Sequence, residues 1–511
     1  MGLDLNRTLA LSRQSFAPAP GTYGDMIAKS WLQSGSAVSG ITFYQLEAPA
    51  KLLYPVLTPL RNMIPRVTAQ AGTQANWRAI TGVNTGTPVR PGVSEANRGA
   101  VIAHTTQDYI AAFKGFGLED YVSFEADYAA KGFDDAKARA VVGLLNATMI
   151  AEELVIVGGN NSLALGTTPT PTLATLTTGG TLAAQTWSVI CVALGYDAYW
   201  SLAGYANGNV GSALGTGVDP NGLTGTRTNA DGTTDAINGG TAQKSANATQ
   251  ITTGATSSIQ ASLAVVPGAF GYAWYWGTAG NEFLGAITTL NSINITAAAG
   301  TATVVGANLA TDRSQVSLEF DGILTQILKP GSGSYVKSLA TGTAGTGSYF
   351  TTDNAGGINE FNALFSDRWN QYRLSPDVVW CNGQDLLNIN ALVVKNGGAP
   401  LIRFALDASN NMALDAGTAV GSILNKITNT KVQIKVHPNM PQGTVLFQST
   451  QLPYKLSGVV DPLRMLLRQD YYQIEWPRVK RRYEYGVYFD GVLQNYFPPA
   501  FGVIYNVGNG Y

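Results

Sequence analysis

An α+β fold carrying an all-β insertion is what the sequence predicts, and three observations lead there. A helical apolar repeat runs through GFDDAKARAVVGLLNATMIAEELVIVGGN, short alternating stretches fill residues 158–300, and helix and strand patterns alternate again from Gly357 onward. The 511 residues leave room for several domains, and 45% apolar residues suffice for more than one core. Charged residues make up 13% of the chain, against about a quarter in an average soluble domain. Gly, Ser, Thr, Asn and Gln carry the polar surface instead, a composition that suits β-rich proteins and subunits that hide surface against copies of themselves.

Residues 1–66 read as an irregular N-terminal arm, broken by Pro18, Pro20, Pro49, Pro55, Pro59 and Pro65. Residues 67–125, rich in Thr, Gln, Gly and aromatics around Pro88 and Pro91, read as a long projecting β-hairpin with little core of its own. Within residues 126–180, Phe133, Ala136, Ala140, Val141, Leu144, Leu145 and Thr148 recur at helical spacing and predict an amphipathic helix of about seven turns. Asp134 and Asp135 open it, and Gly158 with Gly159 closes it. Between Gly158 and Gly300 only seven residues are charged. There Ile259, Ala261, Leu263 and Val265 alternate, and Asn221-Gly222 and Asn238-Gly239 signal turns, which predicts a β-sandwich inserted over residues 181–300. Residues 301–511 return to α+β. A helix carried by Ile358, Phe361, Leu364, Phe365, Trp369 and Tyr372 ends before Pro376, Val378–Cys381 reads as a buried strand leading to another helix, and Val432, Ile434 and Val436 alternate as a strand.

Chemistry finds few anchors. His104 and His437 have no motif neighbours, and Cys191 and Cys381 read as small buried side chains rather than a disulfide, redox or metal motif. Neither a GxxxxGKS/T phosphate loop nor a GxSxG elbow occurs. Asn229, Asp231 and Asp235 depart from EF-hand spacing and fit a turn between strands. The acid pairs Glu119-Asp120, Asp134-Asp135 and Glu152-Glu153 adjoin in sequence instead of facing one another across a substrate, the last two fitting helix-end and solvated-face roles. No catalytic, cofactor or metal site is therefore assigned. The start of the chain shows no basic leader with an apolar stretch, and no run of 18 apolar residues occurs, so no membrane partner is expected. A net charge of −1 argues against a globally basic nucleic-acid binder. Local contacts remain for Arg478, Lys480, Arg481 and Arg482. Read as a strand, this run puts Arg478, Lys480 and Arg482 on one face, toward a neighbouring subunit or a phosphate backbone.

The order of these elements resembles the major capsid proteins of tailed bacteriophages, the Hong Kong 97 fold. FEADYAAKGFDDAKARAVVGLLNATMIAEELVIVGGN resembles the end of an E-loop followed by a spine helix. SPDVVWCNGQDLLNI, KVHPNMPQGTVLF and WPRVKRRYEYGVYFDGVLQNYFPPAFGVIYNV resemble later segments of the core, the last with Tyr483, Tyr485, Val487 and Phe489 on one strand face. The similarity covers residues 1 to about 157 and about 310 to 511, leaving the sandwich as an insertion. It implies an N-arm, E-loop, spine helix, and peripheral and axial domains. It also implies hexamers and pentamers closing into an icosahedral shell around packaged double-stranded DNA, held by non-specific contacts. The expected place is the virion capsid, assembled in the host bacterial cytoplasm with a separate scaffolding protein, a portal and a decoration protein. The insertion is expected on the outer shell surface or between capsomers. The namesake's lysine–asparagine crosslink is not carried over, since Lys114 is the hairpin's only nearby lysine and no catalytic glutamate is assigned. Two readings compete: an extracellular carbohydrate-binding or carbohydrate-active β-rich protein, from the Gly, Thr, Asn and aromatic richness of residues 160–350, and a phage tail-tube or fibre subunit.

Overall fold

The computed structural model describes residues 56–68, 72–83, 91–131, 135–203, 220–223, 225–229, 232–300, 307–397, 402–406, 412–416, 420–454 and 458–508. The predicted arm lies outside them as far as residue 55, and so do Pro88, Asp134 and Asp231. Helix α1 (Pro59–Met63) and strand β1 (Arg66–Thr68) precede β2 (Gln74–Val83), β3 (His104–Ala112) and β4 (Lys114–Ser123). Then come α2 (Phe124–Ala130), α3 (Ala136–Gly158), β5 (Thr172–Leu176), β6 (Thr186–Leu194), α4 (Tyr196–Ala203), β7 (Gly225–Thr228) and β8 (Thr234–Ile237). Strands β9 (Ala248–Ile251), β10 (Ser258–Ser262), β11 (Gly271–Thr278), β12 (Asn281–Thr288) and β13 (Ser292–Ile295) lead to α5 (Ile323–Leu328) and β14 (Tyr335–Ser338). The remainder is α6 (Asn359–Tyr372), β15 (Val378–Cys381), α7 (Gly383–Gly397), β16 (Ile402–Leu406), β17 (Met412–Ala416), β18 (Ser422–Asn425), β19 (Thr430–Val436), β20 (Val445–Gln448), β21 (Leu463–Glu475), β22 (Arg482–Asn495) and β23 (Phe501–Tyr505).

Internal contacts divide the chain into two units, Met1–Tyr54 with Ser123–Lys137, and Pro55–Val122 with Ala138–Tyr511. In the first, Ser123 caps α2 by accepting from Ala126 N at 3.2 Å, and Asp135 accepts from Lys137 N at 3.1 Å as the N-cap of α3. Lys137 pairs with Asp127 at 2.8 Å.

In the second unit a six-stranded sheet runs β14-β23-β20-β15-β19-β18. Its strand VVWC is apolar throughout because both faces are covered: Val379 and Cys381 face Phe361, Leu364 and Phe365 of α6, while Val378 and Trp380 join a core with Leu446 and Val503. Helix α6 stops because Arg373 adopts a left-handed conformation (φ 55°), three residues before the predicted stop at Pro376. A second sheet, β1-β21-β22-β4, is built on the long β21–β22 hairpin. Tyr485, Val487 and Phe489 point to its buried face and Tyr483 packs beside them.

The insertion is a sandwich of two sheets, β13-β10-β5 and β12-β11-β6-β9. Val189, Cys191 and Ala193 of β6 and Tyr272, Trp274 and Trp276 of β11 face Ile259, Ala261 and Ile293 across the gap. The intervening Ile190, Val192, Ala273 and Tyr275 pack on Ala198 and Leu202 of α4, so the four-stranded sheet is buried on both faces. Indole N–H groups inside still need acceptors, and find them: Trp274 Nε1 donates to Thr288 Oγ1 and Trp276 Nε1 to Ala297 O, each at 2.9 Å. Strand β5 pairs with β10 from Thr172 to Leu176, so the sandwich begins ahead of the expected boundary at residue 181. Its outer-face residues alternate too weakly with polar ones to mark it from sequence.

Helix α3 departs from the amphipathic expectation. Burial grades along its length instead of around it: Leu144 packs on Tyr485 and Val487, and by Val155, Ile156 and Val157 the helix is sealed in the core. Its most apolar window, of mean hydropathy 1.8, passes by composition for a membrane span, but here its C-terminal half is packed in protein. At the glycine stop, Gly322 N donates to Gly159 O at 2.8 Å, and a Cβ on Gly322 would lie 2.5 Å from Val155 O. Backbone meets backbone there, which only glycine permits.

Candidate assembly surfaces

Hairpin β2–β3 pairs antiparallel from Gln74↔Ala112 to Val83↔His104, with a register shift between Ile80 and Gly82. Its two strands pair only with each other among the described residues. Two strands alone are marginal in water, so such a hairpin needs support at one end. Trp77 supplies it at the root: the indole stacks on Tyr109 at 5.5 Å and donates through Nε1 to Asn495 O at 2.9 Å. Farther along, Arg78 and Asp108 pair on a face flanked by Ile80 and Ile110, which are 64% and 67% exposed. Val101, just ahead of β3, is 94% exposed. Among the described residues these apolar side chains stay largely open to solvent. A cavity of about 330 Å³ opens under the root, between β3 and the segments around Phe320, Lys329 and Leu493.

The basic run does not form the predicted strand. Pro477 follows the end of β21, and Arg478, Lys480 and Arg481 lie exposed in the connection to β22, whose first residue is Arg482. Proline lacks the N–H that a continuing ladder needs, so the strand turns here. Arg478 lies over the Tyr483 ring at 4.4 Å and 3.7 Å from Glu475, while Arg482 lies over Tyr121 at 4.3 Å and pairs with Glu484. The tip thus presents cations braced on aromatic rings rather than three charges on one strand face.

Sequence reading missed a buried polar cluster that ties the start of the described chain to α3. Glu152 and Glu153, expected at a helix end or solvated face, are fully buried. Glu153 accepts from Leu60 N at 2.9 Å and Arg61 N at 2.7 Å, which caps α1 from another element, since Thr58 makes no side-chain cap. His437 completes the site: its Nδ1 accepts from Asn439 N at 3.0 Å, leaving Nε2–H to donate to Glu153 at 2.6 Å. Glu152 accepts from Arg61 Nε at 2.7 Å and Arg66 at 2.6 Å, with Tyr471 donating to it as well. The only sequence signal was two adjacent acids inside an apolar helix.

Other residues singled out from sequence have structural places. Asn229, at the β7–β8 turn, donates to Thr233 Oγ1 at 3.2 Å, and Arg227 pairs with Asp235 at 2.7 Å across the hairpin. Both cysteines are buried, which pushes the Cys381 thiol up to about 12 and the Cys191 thiol well above its ordinary value. His104 is exposed at the start of β3, Glu119 accepts from Tyr488 on β22, and Lys114 donates to Ser317 O.

No family model and no curated protein matches the chain. Among solved structures, it is similar to the capsid of a native GTA particle at 8% identity, covering 92% of this chain and 96% of that one, with a TM-score of 0.41. The capsid of Myoviridae phage XM1 is similar at 9% identity over 90% and 94% of the two chains, TM-score 0.39. So is the SrpI encapsulin complex of Synechococcus elongatus, at 7% identity over 91% and 93%, TM-score 0.38.

Proposed function

We propose that this chain is a structural shell subunit: the major capsid protein of a tailed phage, with the Hong Kong 97 arrangement and an inserted β-sandwich. In this reading residues 1–66 are the arm, 67–125 the E-loop, 126–180 the spine helix and start of the peripheral domain, and 301–511 the rest of the peripheral and axial domains. Many copies form hexamers and pentamers of an icosahedral shell enclosing double-stranded DNA, assembled in the host cytoplasm with a separate scaffolding protein and a portal. The observation that carries it is the β2–β3 hairpin, anchored through Trp77 yet exposing Ile80, Ile110 and Val101. Exposed apolar area of this kind is buried only by association, and burial of apolar surface drives association. Buried ionic anchoring of the spine helix supports a rigid subunit, and the carbohydrate-active alternative loses Glu152 and Glu153 to the core as candidate acids. The exposed cations from Arg478 to Arg482 would touch neighbouring subunits or the genome.

Sedimentation of the purified chain, alone and with its scaffold, followed by negative-stain microscopy, tests this. Closed shells or free hexamers and pentamers are expected. A monomer under every condition overturns the proposal.

A further inference from the structure

The geometry points to a binding site for a small alkylammonium ion in the cleft between the inserted sandwich and α3, with Asp197 and Glu319 holding its nitrogen and aromatic rings its chain. The cleft encloses about 790 Å³, within the range of small-molecule sites. Phe116 of β4, Leu154 and Val155 of α3, Tyr196 and Trp200 of α4, and Tyr488 of β22 line it. Two carboxylates reach it from different parts of the chain, Asp197 in the first turn of α4 and Glu319 in the segment before α5. Burial pushes the Asp197 carboxyl up, and no hydrogen bond offsets it. Glu319 accepts from the Asn160 backbone, yet its Oε2 is closed to solvent and has no partner. Burial and then the neighbouring Asp197 charge push this carboxyl up as well. Buried polar atoms are normally satisfied, so the pair calls for a donor from outside.

Among the described residues the protein has committed its own donors there elsewhere. Arg227 lines the cleft but pairs with Asp235 at 2.7 Å. The Tyr196 hydroxyl donates to Asn439 O at 2.8 Å, and that of Tyr488 donates to Glu119. The parts of β4, α3 and β8 that line the cleft carry no titratable side chain. A calcium ion takes about six to eight oxygen ligands, and no three His, Cys, Asp or Glu side chains gather among the described residues to begin such a shell. An alkylammonium asks for less. Its N–H groups donate to two carboxylates, and aromatic faces attract its charge and cover its methylene groups. Since Asp197 belongs to α4, packed on the sandwich, and Glu319 to the core segment before α5, a bound ion also ties the insertion to the core.

Thermal unfolding of the purified chain in n-butylammonium chloride, against sodium chloride and calcium chloride at the same ionic strength, tests this whether or not copies assemble. A rise in melting temperature is expected with butylammonium alone. Calorimetric titration with the same salt should show binding that weakens at least tenfold in Asp197→Asn and in Glu319→Gln. Each replacement removes a buried acid that lacks a cation, so neither should lower the melting temperature of the unliganded chain. Ammonium chloride, without the alkyl chain, should bind about fivefold more weakly. Binding should be tighter at pH 8 than at pH 5, because the two acids ionise as pH rises while an alkylamine keeps its proton up to about pH 10. No binding of butylammonium, equal stabilisation by sodium or calcium, ammonium bound as tightly, or butylammonium binding that both variants retain overturns the proposal.

Discussion

Glu153 performs three tasks with one carboxylate: it caps α1 through two backbone N–H groups, accepts a hydrogen bond from His437 Nε2–H and holds the segment around Leu60 against α3. Removing one partner of a buried pair strands the others without solvent, which costs roughly 3–5 kcal/mol. Glu153→Ala should destabilise the subunit by that order in urea unfolding, and Glu153→Gln by less, because one amide oxygen still accepts. Asp385 shows the opposite relation to charge. Burial pushes its carboxyl up to about 7, although Gly443 N donates to both its oxygens. Its folded pKa exceeds the unfolded value of about 3.9, so the folded chain binds more protons between the two. Stability contributed by Asp385 is therefore highest below about pH 4, falls as pH rises toward 7, and stays low above it. Asp385→Asn should gain on the wild type at pH 8 and lose that gain at pH 4; equal differences in melting temperature at both pH values would refute this.

At the scale of elements, the inserted sandwich depends on β11, whose alternate residues serve two cores. Trp274 is fully buried between the sheets, and truncating a large aromatic in such a place costs about 3–5 kcal/mol. Trp274→Ala should expose the sandwich strands to hydrogen exchange well before the six-stranded sheet. Protection lost evenly over both would show that the two regions unfold as one. Helix α3 was legible as a helix because apolar residues recur every three or four positions. Its direction of burial was not, because which end enters the core depends on β22 and α5, which lie more than 150 positions downstream.

For the whole molecule, the prediction concerns salt. If Arg478, Lys480, Arg481 and Arg482 meet acidic groups of neighbours or phosphates of the genome, replacing all four with Gln should weaken the dependence of assembly or DNA retention on ionic strength. Unfolding of the isolated chain should shift by only about 1–2 kcal/mol, since Lys480 and Arg481 lie exposed in a connection and only Arg478 and Arg482 lose ring contacts and ion pairs. An assembly yield with the same salt dependence as the wild type would remove the run from the contact surface.

Residue spacing alone determined the α+β class, the positions of α3, α6 and β15, the projecting hairpin and the presence of an all-β insertion. Those features rest on local periodicity: a period of two or of 3.6 states which side of an element is apolar. Tertiary structure alone decided the rest. It drew β5 into the sandwich, turned the basic run into a connection, and sealed Glu152 and Glu153 inside. Leu60 lies 93 positions from Glu153, and His437 lies 284. A carboxylate written into an apolar helix looks solvated until its distant partners are known, because only their donors make its burial affordable.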